Sequence, residues 1–451
     1  MVSAGLQQPV TVNYDQDRWG WLMVAAAFVN AFVIMGQLKA LGVLLIPMTN
    51  DLDSELWLVG WVAVLYSMTQ NCFAPVVGAL SRLLGARPMI VMGGVLYTLG
   101  LILASISPSV PLLAVFVIGL SGFGAAFNWF IGFAVMASYF KEKYPLAIGL
   151  STMGVPLGIM AYGPVTQVLL NTYGWRGTML LLGGISFHLV ACALLVRRDP
   201  SSNSANSDTD QYQQVSVLDE EENAQEEGGA PNHTRRTQEK REKTYCQRLI
   251  EAMDFKVLAD IRFALLVCGR CSAVFAYSAW LVFMVPYGKF QGLNDTQASF
   301  LPTAFGIGNV IGKALAPLLQ ELGMKPPMTF WACFGAALIS GSFVVNAFIR
   351  PFIGLLAVTG LMGVGYGAMY QAIDVMIRFI STDDRLVSIL GWQGVFTGVA
   401  GALGGLVSGW IYEWTGTFFI SFFVYAGLAL LSIPFFIRLY MLNRRTDTTR
   451  L

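Results

Sequence analysis

Histidine is almost absent from this chain, with His188 and His233 the two in 451 residues. Zinc sites and acid–base catalysis rely heavily on histidine, and the zinc-protease motif H-E-x-x-H does not occur here. The six cysteines are scattered, and the one C-x-x-C pair, Cys268 and Cys271, has no second pair to complete the four ligands of zinc. The sequence therefore predicts no metal, no cofactor and no intramembrane enzyme.

Charged residues are also scarce. They make up 12% of the chain, against about 25% in average proteins. Hydrophobic residues make up 55%, the mean hydropathy is +0.60 and the net charge is +1. This composition predicts a polytopic protein in a lipid bilayer and no nucleic-acid partner. The polar N-terminal stretch predicts no cleavable signal peptide.

Apolar stretches of membrane-spanning length recur along the chain. They lie near 19–47, 57–80, 88–107, 111–137, 144–170, 177–196, 262–288, 297–321, 327–348, 351–379, 387–411 and 416–440. The prediction is an all-α polytopic membrane protein with about 12 transmembrane helices in two six-helix bundles. The predicted units are a tail 1–18, a bundle 19–196, a polar, largely disordered linker 197–261, a bundle 262–440 and a tail 441–451.

Lysine and arginine concentrate on the loops of one side. That side holds Arg82, Arg87, Lys141, Lys143, Arg197, Arg198, Lys325, Arg378, Arg385, Arg438, Arg444, Arg445 and the basic part of the linker. The other side holds only Arg176, Lys289 and Arg350, and its first loop is acidic. By the positive-inside rule, both termini and the linker are predicted to be cytosolic.

Two features indicate a known superfamily. The first feature is the order of six spans, a linker and six spans. The second feature is the segment 78–87, GALSRLLGAR. This segment resembles the G-x-x-x-D-R-x-G-x-R signature of the major facilitator superfamily, with Ser81 in place of the aspartate. The resemblance implies two halves related by an axis along the membrane normal, with the substrate near the midplane between them.

A narrower resemblance rests on helices one, five and six. The run 139–158, with YF, LA-x-G and spaced glycines, the run YGWRG at 173–177 and the DRWGW at 17–21 resemble segments of the monocarboxylate transporter family. Glu142 and Tyr144 depart from it, since the family has basic residues there. This resemblance covers nearly all of the membrane region.

The resemblance implies a secondary transporter that moves small monocarboxylates or related organic anions across the cell membrane, with proton coupling in many members. It also implies a single-span immunoglobulin-like chaperone as a partner. Since key residues differ, a proton-independent facilitative carrier for a neutral or zwitterionic solute, such as creatine or an amino acid, is the alternative. A non-transporting sensor or scaffold is not excluded by the sequence.

Lys39 is the one charge inside the first span. A cation deep in the bilayer costs about 2.5–3.5 kcal/mol, so it is a hypothesis about function by default. The alternative is a side chain that extends to the far interface. In the resembled family, a lysine at this spacing on helix one receives the substrate carboxylate.

Asn309 and Lys313 lie four residues apart on helix eight and therefore share a helix face. Many family members carry an aspartate, which takes the proton, and an arginine, which holds the carboxylate, at these places. Asn309 cannot titrate, and Lys313 is a point charge without the bidentate fork of arginine. Both are predicted to bind substrate, and the alternative for Lys313 is a helix-end lysine facing the cytosol.

Two more charges lie in predicted spans. Arg270 on helix seven either lines the cavity or extends to the interface. Asp374 on helix ten is the candidate for proton coupling, because a buried carboxylate can carry a proton. The alternative is a structural pair with Arg378, one turn further on.

Several uncharged polar residues on cavity helices are weaker candidates for substrate binding. They are Asn30, Gln37, Asn128 and Tyr370. The alternative for each is packing between helices.

Overall fold

The computed structural model describes residues 18–140, 143–196, 250–324, 326–381 and 385–448. The predicted N-terminal tail up to residue 17, the linker up to residue 249 and the last three residues of the predicted C-terminal tail lie outside the described residues. The boundaries of the five predicted units therefore stay a prediction.

Six helices precede the linker, and several are built from short pieces. They are α1 (Arg18–Asp51), α2 (Leu56–Cys72 with Ala74–Leu84), α3 (Ala86–Ser105), α4 (Val110–Ala114 through Gly132–Tyr139), α5 (Tyr144–Thr152 and the part of Gly154–Ser186 before Gly174) and α6 (the remainder, with His188–Leu194). Gly174 separates α5 from α6, since its φ of +67° is a left-handed conformation that favours glycine.

Six further helices follow the linker. They are α7 (Ile261–Phe290), α8 (Asp295–Glu321), α9 (Met328–Asn346), α10 (Phe352–Ile380), α11 (Leu386–Thr415) and α12 (Phe419–Thr448). Within the described residues, nine helical stretches are long and apolar enough to cross a membrane by length and composition. Helices suit such a chain because every backbone group is satisfied internally in lipid. The predicted all-α fold class is confirmed.

Polar contacts define two faces of the helix bundle. On one face, Arg82 Nη1 donates to the Ala252 carbonyl oxygen (3.2 Å) and Arg87 Nη2 donates to the Leu194 carbonyl oxygen (3.3 Å). We call this the linker face, because Leu194 and Ala252 lie close to the two ends of the linker. On the opposite face, Arg176 pairs with Asp51 at 3.0 Å and joins the start of α6 to the end of α1.

Each half is held together by glycines that let helix backbones meet. A Cβ at Gly154 or Gly158 of α5 would collide with a carbonyl oxygen of α1. In the other half, a Cβ at Gly404 of α11 would collide with the Phe275 carbonyl of α7. Small residues at such contacts allow the close van der Waals packing that drives helix association in lipid. The same kind of contact therefore joins α1 to α5 and α7 to α11.

Candidate functional site

The pair predicted on helix eight is held in place by glycines of α10. A Cβ at Gly363 would strike the Phe305 carbonyl, and one at Gly367 would strike the Asn309 carbonyl. The backbones of α8 and α10 touch here. Main-chain packing therefore sets the position of Asn309 and Lys313 relative to α10.

Lys313 lies where the two halves meet. Its side chain is buried, with 5% of the residue exposed, and its Nζ donates to the Thr152 carbonyl oxygen of α5 at 2.9 Å. Asn309 is 3% exposed, and its Oδ1 has no hydrogen-bond partner among the described residues. Lys313 is thus not a helix-end lysine in the aqueous phase.

A second hydrogen bond joins the two halves, and it comes from α10 instead of α8. Gln371 Nε2 of α10 donates to the Pro145 carbonyl oxygen of α5 at 2.7 Å. We call the surface formed by Lys313, Gln371, Pro145 and Thr152 the seam. All four residues lie in the parts of their helices nearest the linker face. The seam therefore closes the linker face in this structure.

Arg270 and Asp374 form an ion pair between α7 and α10. With its amide oxygen turned toward Arg270, Gln393 of α11 accepts from Nε at 2.8 Å and from Nη1 at 3.1 Å. The guanidinium also lies 5.3 Å from the ring centre of Tyr370. Arg270 is thus held inside the bundle by three helices rather than extended to the interface, and Asp374 has an ion-pair partner other than the suggested Arg378.

Lys313 of the seam and the neighbouring Arg270 and Asp374 carry charges that do not cancel. Asp374 and Arg270 both act electrostatically on Lys313. Two cations and one anion leave one positive charge in this group. Uncompensated charge inside a bilayer is costly unless it meets water or a ligand. The cluster is therefore suited to binding a small anion.

Lys39 lies in the other half and nearer the opposite face. It is half-buried, and it has no hydrogen-bond or ion-pair partner among the residues that the structure describes. It precedes the end of α1 by 12 residues, whereas Lys313 follows the start of α8 by 18. At 1.5 Å per residue, Lys39 is about 9 Å closer to the end of its own helix on the opposite face than Lys313 is to the end of α8 there.

Asn30 and Asn128 contact each other inside the N-terminal half. Asn30 Nδ2 donates to the Asn128 carbonyl oxygen at 2.9 Å, and both side chains line a cavity of about 20 Å³ with Ser151. That volume holds about one water molecule. Gln37 is fully buried, and its Nε2 lies 3.8 Å from Met179 Sδ in α6. Among the described residues, none of these three side chains makes a hydrogen bond to Lys313.

Sequence reasoning named Arg270 and Asp374 as candidates but missed two contacts of the site, the bond to the Thr152 main chain and the pairing of Arg270 with Asp374. Thr152 acts through its main-chain oxygen, which no side-chain pattern can reveal. Arg270 and Asp374 are 104 positions apart, so no helical spacing links them. The signal that was available was their rarity, since each is a charge in a predicted membrane helix.

Comparison with known proteins agrees with this geometry. The family model of the Major Facilitator Superfamily matches residues 27–357, which is more than half of the chain. Bovine (Bos taurus) monocarboxylate transporter 13 is 28% identical over 418 residues, covering 92% of this chain and 87% of that protein. Human monocarboxylate transporter 2 is 23% identical, covering 89% and 81%.

Solved structures show the same fold. The human organic anion transporter MFSD10 superposes with a TM-score of 0.69 at 14% identity, covering 92% of this chain and 99% of that one. The proton:xylose symporter XylE superposes with a TM-score of 0.70 at 12% identity, covering 95% and 96%. The predicted resemblance is confirmed. The chain belongs to the major facilitator superfamily, as a membrane-spanning secondary transporter, not an enzyme, whose relatives along most of its length are monocarboxylate transporters.

Proposed function

We propose that this protein carries small organic anions, with monocarboxylates as the leading class, across the cell membrane by alternating access. The observation that supports this most is the single excess positive charge of the group formed by Lys313 at the seam and its neighbours Arg270 and Asp374. A carboxylate supplies the missing negative charge. It also accepts hydrogen bonds that Lys313 otherwise gives to the Thr152 carbonyl oxygen.

The positions of the cations suggest an order of events. An anion entering from the opposite face is drawn first to half-buried Lys39. It then reaches the seam, where Lys313 exchanges the Thr152 carbonyl for the carboxylate. Breaking that bond removes one link between the halves, so binding favours opening toward the linker face.

Proton coupling is assigned to Asp374. While Asp374 is paired with Arg270 it needs no proton. A substrate carboxylate that takes donors of Arg270 leaves the aspartate without its partner, and a buried carboxylate then gains by binding a proton. One proton would thus travel with each anion.

A proton-independent carrier for a neutral or zwitterionic solute, such as creatine or an amino acid, remains the second candidate. Asn309 supports it, because this buried amide stands where many family members have the proton-binding aspartate and cannot titrate. In that case, Asp374 would stay paired with Arg270 throughout the cycle.

Uptake by reconstituted protein separates these functions. We expect lactate or pyruvate to enter proteoliposomes, faster at external pH 6 than at pH 8, and Lys313→Met to lower this uptake by about a hundredfold. Lys289→Met removes an exposed lysine at the end of α7 and serves as the matched control. Uptake of creatine or phenylalanine alone, equal at both pH values, would favour the second candidate. No uptake of any of these would count against both.

The proposal also covers the cellular location of the protein, its orientation in the membrane and a chaperone partner. We place the protein in the cell membrane, with both termini and the linker in the cytosol, because basic residues concentrate on the linker face. An antibody to a C-terminal tag should then bind only after the cells are permeabilised. The single-span immunoglobulin-like chaperone rests on the family resemblance alone. Co-expression of such a chaperone should raise the amount of protein at the cell surface.

A further inference from the structure

Residues 250–259, which we call the strap, lead from the linker into α7. They contain the 3₁₀ turn Phe255–Ala259. Asp254 precedes that turn with φ of +46°, a left-handed conformation that is uncommon for a residue with a side chain. A conformation of that kind persists when surrounding contacts enforce it.

The contacts that enforce it come mainly from α11. Arg385 Nε lies 3.1 Å from Asp254 Oδ2, and the Asp254 side chain is 14% exposed. Trp392 Nε1 donates to the Met253 carbonyl oxygen at 2.9 Å. The Trp392 ring also packs on Phe255, with ring centres 4.9 Å apart. The strap is thus bound to α11 by charge, hydrogen bond and ring packing together.

One main-chain oxygen of the strap reaches both halves of the protein. Ala252 O accepts from Arg82 Nη1 of α2 at 3.2 Å and from Ser388 Oγ of α11 at 3.5 Å. Arg82 belongs to the N-terminal half and Ser388 to the C-terminal half. The strap therefore bridges the two halves at the linker face.

Beneath this bridge, α2 and α11 pack closely. A Cβ at Gly78 of α2 would lie 2.9 Å from Val387 Cγ1, and one at Gly391 of α11 would lie 2.9 Å from Pro75 Cα. These contacts must separate if the linker face is to open. In the superfamily signature an aspartate precedes Arg82, but here Ser81 Oγ donates to the Gly78 carbonyl within its own helix. Arg82 instead binds the strap.

We propose that the strap is a latch that holds the two halves together on the linker face and must leave Arg82 before that face opens. Its grip on α11 keeps the Ala252 carbonyl beside Arg82. Loosening the strap from α11 therefore shifts the conformational equilibrium toward the state that is open to the linker face. This proposal rests on the transport by alternating access that is proposed above, and it does not depend on which substrate is carried.

Hydrogen–deuterium exchange of the full-length protein in lipid nanodiscs, without substrate, tests this. The peptides read out are those covering 144–152 and 313–321, which lie at the seam and outside the strap. Asp254→Asn removes the charge but keeps a residue that tolerates the left-handed conformation. Trp392→Phe removes the donor to Met253 but keeps an aromatic ring beside Phe255.

In both variants we expect exchange of the seam peptides to rise by about threefold to tenfold, the range for loss of a partly exposed ion pair or one hydrogen bond. Arg385→Lys keeps the charge and should stay close to the unmodified protein. Asp260→Asn is the matched control, because Asp260 accepts from the Arg262 amide within its own helix start. Faster exchange confined to the strap, with unchanged seam peptides in both variants, would overturn the latch.

Discussion

The two halves of this transporter are packed alike but charged differently. In both, glycines bring helix backbones into contact, at Gly154 and Gly158 in one half and at Gly404 in the other. The C-terminal half carries the cluster of Arg270, Lys313 and Asp374, whereas the N-terminal half contributes half-buried Lys39.

The seam shows the same asymmetry. Side chains of the C-terminal half donate, through Lys313 and Gln371, and main-chain carbonyls of α5 in the N-terminal half accept. Because the acceptors are main-chain oxygens, these two hydrogen bonds of the seam do not depend on which side chain stands at Thr152 or Pro145. Chemistry and closure are therefore concentrated in one half, and the other half supplies a rigid surface against which it moves.

Glycine packing gives the largest expected effect. A Cβ in Gly367→Ala would overlap the Asn309 carbonyl oxygen, and the rigid α8 backbone cannot yield as a flexible side chain could. We expect a loss of about 3 kcal/mol of stability, near the upper end for overpacking. Thermal unfolding of the purified protein measures it. Gly158→Ala should be equally harmful in the other half, and Gly42→Ala in α1, which meets nothing within 4 Å, should be neutral.

Lys313 should dominate transport. Lys313→Met keeps much of the side-chain length and removes the charge, so we expect uptake to fall by about a hundredfold, as for loss of a buried charged contact of about 2.7 kcal/mol. Lys313→Arg should retain part of the activity, because it keeps a cation at the seam. The measurement is initial uptake rate, corrected for the amount of reconstituted protein. Full activity of Lys313→Met would place the substrate elsewhere.

Asp374 should govern the dependence on pH. In Asp374→Asn the side chain can neither bind nor release a proton, so the acceleration of uptake at acidic external pH should disappear. Arg270 then lacks its ionic partner, and we also expect the rate at pH 6 to fall by about tenfold. Asp260→Asn, at the aqueous start of α7, should keep the full response to pH. Persistence of the response in Asp374→Asn would remove this residue from proton coupling.

Lys39 should have a smaller effect than Lys313. It is half-buried and lies about 9 Å nearer its helix end on the opposite face than Lys313 does, so we expect it to attract substrate rather than to hold it at the seam. In Lys39→Gln we expect KM to rise by about threefold to fivefold, with a smaller change in maximal rate. Lys39→Arg should restore the KM. A maximal rate lost as completely as in Lys313→Met would make the two lysines equivalent.

The smallest expected effect concerns Asn128. If its cavity holds a water molecule rather than substrate, Asn128→Leu should leave KM within about twofold. Its Oδ1 has no partner among the described residues, and its Nδ2 donates to the Gly124 carbonyl oxygen of its own helix, so the substitution removes one hydrogen bond within α4 and none to another helix. A large rise in KM would instead support the substrate-binding role predicted from the sequence for Asn30 and Asn128.

Much of the fold was predictable because lipid imposes a simple rule. An apolar stretch of about 20 residues must become a spanning helix, so helix number and the division into two halves follow from hydropathy. The face shared by Asn309 and Lys313 followed from helical spacing. The pairing of Arg270 with Asp374 did not, since it depends on how α7 packs against α10.

By itself the sequence determined which segments lie in the membrane and which charges are costly there. Both follow from the hydropathy of residues that are adjacent in the chain. Tertiary structure alone decided which charge meets which partner. It paired Arg270 with Asp374, set Lys313 against a main-chain oxygen of the other half, and left Lys39 half-buried. The physical reason is that these partners are distant in sequence, and their approach is set by backbone contacts at glycines such as Gly367.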